Sequence, residues 1–163
     1  MLARRGWLAL VAATLTGCGF ELRRAPEFGF QTIALTGFAP RSALAAELRA
    51  RLNATPSTRV VEASTEAEVV LEALVDTQAK SVVASTAVGQ VTEFQLGTRF
   101  RFRLRTASGK ELIAPTEVSQ TRDMSYTERA ALAKEQEEAA LFRAMQADMV
   151  SQVMRRLAAA QPV

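Results

Sequence analysis

Residues 91–106 alternate strictly. Phe94, Leu96, Phe100, Phe102 and Leu104 fall on even positions, while Glu93, Gln95, Arg99, Arg101, Arg103 and Arg105 fall on odd ones. Successive side chains of a strand point to opposite faces, so this stretch predicts a strand with one apolar face and one face carrying a row of four arginines. The preceding residues 68–86 are rich in Val, Leu and Thr. They read as one long strand, or as two segments with an irregularity near residues 76–80, and Gly89 marks the turn that follows. Ser108-Gly109 reads as a second hairpin turn and residues 111–124 as the returning strand. Pro115 near its start suits an edge or entry position, because proline cannot donate to a ladder.

Other stretches follow the helical period. Leu44, Leu48 and Leu52 recur every four positions within residues 41–53, and Asn53 and Pro56 close that helix. Before it, residues 31–36 form a short β-favouring segment with Ile33 and Leu35, ended by Gly37 and Pro40. Ser125-Tyr126-Thr127-Glu128 fits a capping box opening a last helix that runs to about Leu157. Its stripe includes Phe142, Met145, Met149, Val153 and Leu157, with the methionines read as core filler rather than ligands. The order is β-α-β-β-β-α. Two amphipathic helices and a half-exposed sheet bury their apolar surfaces most economically as an α+β two-layer sandwich: a four-stranded mixed sheet with both helices on one face. The first strand, first helix and second strand then form a right-handed crossover. The arginine row lies on the opposite, open face.

The first residues carry a different pattern. Arg4 and Arg5 precede an apolar run over residues 7–15, too short to span a bilayer as a helix, and Leu15-Thr16-Gly17-Cys18 follows. This arrangement resembles a bacterial lipobox, with cleavage between Gly17 and Cys18 and lipid attached to the Cys18 thiol. The plainer alternative is an incidental thiol behind a secretory signal. Each buried methylene of an acyl chain contributes roughly 0.8 kcal/mol, so two or three chains would hold the protein at a membrane. The expected organisation is a cleaved signal at 1–17, a lipidated N-terminus and tether at 18–30, and a single domain at 31–163.

Composition then narrows the chemistry. Removing residues 1–17 takes Arg4 and Arg5 from the 20 basic side chains and none from the 17 acidic ones, leaving a nearly neutral body. That balance, export and the lack of aromatics among the arginines argue against a nucleic-acid partner. The chain has no histidine and one cysteine. With Cys18 committed to lipid, Ser-His and Cys-His nucleophile pairs, HExxH sites and thiolate zinc sites are excluded, as is an internal disulfide. The glycines are scattered, so no phosphate loop exists. The acids fall on presumptive helix surfaces (Glu128, Glu135, Glu137, Glu138) or polar strand positions (Glu72, Asp76), where solvation accounts for them. A non-enzymatic protein without cofactor or metal is expected.

The arginine row has two readings. In the plainer one it is a solvated sheet face, its charges paired with carboxylates such as Glu72, Asp76 or Glu117 on adjacent strands. In the functional one, planar donors about 6.5–7 Å apart bind phosphates or carboxylates bidentately.

The mature start Cys18-Gly19-Phe20-Glu21-Leu22-Arg23 resembles the C-G-F-x-L-R opening of the lipopolysaccharide-assembly lipoprotein family LptE. Leu132-Ala133-Lys134, followed by Glu138, Leu141, Met145, Asp148 and Arg156-Leu157, is similar to that family's C-terminal helix. The chain departs from the family at Arg24, where glycine is common, and at Glu21, where histidine is frequent. The resemblance implies a non-catalytic, lipid-anchored protein on the periplasmic side of a Gram-negative outer membrane. It implies a one-to-one heterodimer with the LptD β-barrel, in which the lipoprotein plugs the lumen, assists barrel assembly and binds lipopolysaccharide. Gly19 is compatible with outer-membrane sorting. On this reading Arg99, Arg101, Arg103 and Arg105 face the barrel lumen or the lipid A phosphates. The competing class is another envelope lipoprotein, a docking regulator of a periplasmic cell-wall enzyme.

Overall fold

The computed structural model describes residues 27–160, so Gly17, Cys18 and most of the expected tether lie outside the described residues. The elements are β1 (Thr32–Thr36), α1 (Ala43–Asn53), β2 (Arg59–Val61), β3 (Val69–Ser85), β4 (Val91–Thr106), β5 (Glu111–Ser125), a 3-10 turn (Glu128–Ala130) and α2 (Ala131–Ala159). They build an α+β fold with one mixed sheet in the order β2-β1-β3-β4-β5. β1 runs parallel to both β2 and β3, and β3, β4 and β5 form an antiparallel meander.

The sheet has five strands, not the expected four. The added strand, β2, is three residues long, Arg59-Val60-Val61, and pairs only with β1. A piece this short cannot display a period of two, and Pro56 and Ser57 beside it read as loop. Asn53, expected only to end α1, also holds this strand: its Oδ1 accepts from the Val60 amide at 2.8 Å.

The even positions of β4 form the floor of the core as the alternation requires. Leu96, Phe100, Phe102 and Leu104 are fully buried. Leu44, Leu48 and Leu52 of α1 and Met149, Val150, Val153, Met154 and Leu157 of α2 pack over Phe100, Phe102, Leu104, Ile33, Val69 and Leu71 in one cluster. Phe100 and Phe102 stack at 5.3 Å, and Phe38 from the β1–α1 loop stacks on Phe100 at 5.7 Å. Phe30, placed in the tether by composition, is only 2% exposed and belongs to this cluster, with Phe28 stacked on it at 5.3 Å. A second, smaller cluster of Leu96, Met124 and Met145 lies under the first half of α2, flanked by Phe94, Leu141 and Phe142. Between the two clusters sits Thr98, whose buried Oγ1 has no hydrogen-bond partner among the described residues.

The helix starts differ from each other. Ser42 caps α1, its Oγ accepting from the Ala45 amide at 3.1 Å. The capping box expected at Ser125–Glu128 does not form. Ser125 is still the last residue of β5, Thr127 makes no side-chain cap bond, and α2 begins only at Ala131 after the 3-10 turn. Ser125 Oγ accepts instead from Lys134 Nζ at 3.1 Å, which ties the strand end to the first turns of the helix.

β3 is one continuous strand, with irregularities at Leu74 and Val83 rather than across residues 76–80. Each inserts one extra residue. Ala73 stands opposite Phe102 on the helix side, yet Val75 stands opposite Arg101 on the open side, so the bulge at Leu74 reverses which face the even positions occupy. Where β1 ends, Gly37 (φ +78°) turns the chain away so closely that a Cβ there would lie 2.3 Å from the Ala73 carbonyl oxygen.

Candidate functional site: an arginine face opposite the helices

β4 presents Arg99, Arg101, Arg103 and Arg105 on the face away from the helices, since the even residues between them are buried beneath the helices. Facing residues of an antiparallel pair share a side, so the register identifies their neighbours. Glu72 stands opposite Arg103, Val75 opposite Arg101 and Thr77 opposite Arg99 on β3. On β5, Glu117 stands opposite Arg101, Ser119 opposite Arg99 and Glu111 opposite Arg105.

The four guanidinium groups are not equivalent. Arg103 donates through Nε (3.0 Å) and Nη2 (2.8 Å) to Glu72 Oε2, and Arg105 Nε lies 3.7 Å from the same oxygen. Glu72 thus holds two arginines by charge-assisted contacts and fixes the Arg103 plane. Arg99 Nε lies 3.5 Å from Glu117 Oε2, with both side chains about half exposed, a loose surface contact that contributes little. Arg101 is exposed, and no carboxylate pairs with it among the described residues. Glu117 is across from it in register, but the Glu117 carboxylate leans to Arg99.

Two of the three carboxylates expected as partners therefore take that role. Asp76 does not. The bulge at Leu74 carries it to the helix side, where its Oδ2 accepts from the Ser42 hydroxyl at 2.7 Å. This reversal is not legible in the sequence, because an inserted residue leaves the composition of a strand unchanged. That Glu111 stands opposite Arg105 follows from register alone, which composition does not set.

The rest of the open face grades from apolar to polar. Toward β2 it is covered: Ala34, Val70 and Ala67 form a small buried cluster with Val61 against it. Away from that cover the floor falls at Gly97, where a Cβ would meet nothing within 4 Å and whose neighbours in register are Ala79 and Thr121. Beyond Gly97, Gln95 Nε2 donates to Asp123 Oδ1 at 3.0 Å. The face thus offers one unpaired guanidinium, three more that are oriented or partly neutralised, and an unobstructed approach. This chemistry suits an extended anionic ligand or an anionic surface. Among the described residues no group of three or more acidic, cysteine or histidine side chains is placed to hold a metal ion, and no helix is long and apolar enough to cross a membrane.

A family model described as "LptE: Lipopolysaccharide-assembly" matches residues 30–157. No curated protein matches the sequence. Several solved structures are similar. The solution structure of uncharacterized lipoprotein B from Nitrosomonas europaea superposes with a TM-score of 0.74 at 28% identity, covering 86% of this chain and 91% of that one. Rare lipoprotein B from Shewanella oneidensis gives 0.66 at 22% identity, covering 79% and 95%, and minor lipoprotein from Acinetobacter baumannii gives 0.66 at 22%, covering 83% and 100%. The last two establish the shared fold alone.

Proposed function

The chain belongs to the LptE family of lipopolysaccharide-assembly proteins, and from that premise we propose that it is a non-catalytic outer-membrane lipoprotein that plugs the LptD β-barrel and binds lipopolysaccharide on its open sheet face. Cys18, acylated after cleavage at Gly17, anchors it on the periplasmic side. Partnership is one-to-one, because a single wedge fills one lumen. Arg99, Arg101, Arg103 and Arg105 meet the lipid A phosphates or the polar lumen wall.

The observation that carries this reading is the state of Arg101. It is exposed, lies in the middle of an oriented basic row, and has no carboxylate partner among the described residues. A guanidinium with free donors can donate to a phosphate without first breaking an ion pair. Arg103 is held in one plane by Glu72 and adds a second cation at fixed spacing. The opposite side of the sheet, by contrast, is consumed by the core beneath the helices.

Recovery of the tagged, lipidated protein from detergent-solubilised membranes tests the partnership. A stoichiometric complex with a large β-barrel is expected. Recovery with a periplasmic cell-wall enzyme and no barrel would overturn the proposal, and a mature chain found by mass spectrometry to carry no acyl chains at Cys18 would overturn the anchor.

A further inference from the structure

Two free edges of the sheet, the outer side of β5 and the part of β3 beyond β1, are built differently. β5 is guarded: it carries Pro115, Glu117, Arg122 and Asp123 along its length. Such features keep other strands from adding to an exposed ladder. On the other side β1 reaches only as far as Glu72, while β3 continues to Ser85. Beyond the Ser42–Asp76 contact every residue from Thr77 to Val83 is exposed, and no described strand lies alongside. This stretch has no proline, and between Leu74 and Val82 its charges are Asp76 and Lys80. Two of the large apolar side chains left in solvent are on it, Val82 (52% exposed) and Val83 (49%), and Leu74 (40%) lies three residues before it. The bulges at Leu74 and Val83 bracket the regular part.

That regular part is complementary to itself. Reading every second residue gives Leu74, Asp76, Gln78, Lys80, Val82: apolar, acid, amide, base, apolar. In an antiparallel pair related by a two-fold axis at Gln78, Asp76 of each copy faces Lys80 of the other, and Leu74 faces Val82. Both contacts occur twice. Opposite charges and apolar groups directly across a ladder stabilise it, and like charges there oppose it. Moving the axis to Asp76 or to Lys80 sets like charges against each other, so the same residues that favour pairing also fix its register. Both charged side chains also have partners within the chain, Asp76 accepting from Ser42 and Lys80 pairing with Glu138 and lying 4.1 Å from the centre of the Phe94 ring, so the cross-strand contacts add to these rather than replace them.

We propose that β3 is a self-association edge: two copies of this chain pair antiparallel through Leu74–Val82 about a two-fold axis at Gln78, joining their sheets into one. The interface is isologous, as closed dimers require. It uses the edge of the sheet, leaves the arginine face open, and concerns the protein outside a barrel, so it stands independently of the proposed lipopolysaccharide contact.

The test is disulfide trapping of the full-length lipidated protein, purified in detergent free of the barrel, under mild oxidation, with the native chain as the control for Cys18. Gln78→Cys brings two thiols together across the axis. It is expected to give at least about tenfold more doubled-mass species than Ser119→Cys on the guarded β5 edge, because directly opposed strand positions lie within disulfide reach. Adding Lys80→Asp to Gln78→Cys sets acid against acid and lowers the yield about fivefold, and exchanging the pair with Asp76→Lys and Lys80→Asp together restores it. That recovery separates lost complementarity from lost folding. Equal yields at 78 and 119, no trapping at 78, trapping only to a protein of another mass, or a yield indifferent to the charge exchange would each overturn the proposal.

Discussion

The two halves of β4 obey the same alternation and are supported very differently. Around Phe100 and Phe102 the even residues lie under α1 and α2 together, with β1 completing the sheet beside them. Around Phe94 and Leu96 only α2 remains above, the cluster shrinks to three buried residues, and β3 stands as a bare edge. The odd residues do not divide at the same place: Arg103 and Arg105 are fastened to Glu72, whereas Arg101, between Phe100 and Phe102, is unpaired and Arg99 is only loosely held. One hydrophobic pattern thus gives a doubly covered half that specifies the fold and carries the unpaired Arg101 on its open side, and a thinly covered half that leaves a backbone edge free.

The sharpest way to break this comparison is to delete one ring from each half. Phe100→Ala is expected to cost about 4 kcal/mol, since it empties a fully buried site that helices and sheet cannot close. Phe94→Ala, half-buried at the margin of the small cluster, is expected to cost less than about half of that. Chemical denaturation of both variants checks the ratio, and equal losses would remove the distinction between the halves. The join between the halves is probed by Gly37→Ala. It puts a side chain at positive φ and against the Ala73 carbonyl, and is expected to cost about 2 kcal/mol, read as a lowered melting temperature. At the border of the clusters the sign reverses. Thr98→Val removes a buried hydroxyl without a partner and is expected to raise stability by about 1 kcal/mol. A destabilised valine variant would show that the hydroxyl is satisfied after all.

How far the sequence discloses this arrangement can be judged from particular residues. The strand from Val91 to Thr106, both hairpin turns, the three leucines of α1 and the stripe of α2 are all legible, because burial enforces a period and a period survives in the sequence. β2 is not, since three residues packed beside β1 carry no period. The capping box at Ser125 fails for an energetic reason: the β5 ladder extends through Ser125, paired with Glu93, and tertiary pairing outweighs a local cap worth about 1 kcal/mol. The arginine row was legible in full, and so were Glu72 and Glu117 as its neighbours. Asp76 was misassigned because one inserted residue at Leu74 reverses the faces downstream. What distinguishes Arg101 from the other three depends on register, which only the folded sheet supplies.

Lipopolysaccharide binding by the purified chain and its Arg101→Gln variant tests the functional reading most directly. The substitution removes a charge that contacts no carboxylate among the described residues, so the melting temperature should stay as it is. Loss of one charge-assisted phosphate contact is expected to weaken binding about tenfold. Unchanged affinity in the Arg101→Gln variant, with the fold intact, would contradict the assignment of the open face as the lipopolysaccharide contact.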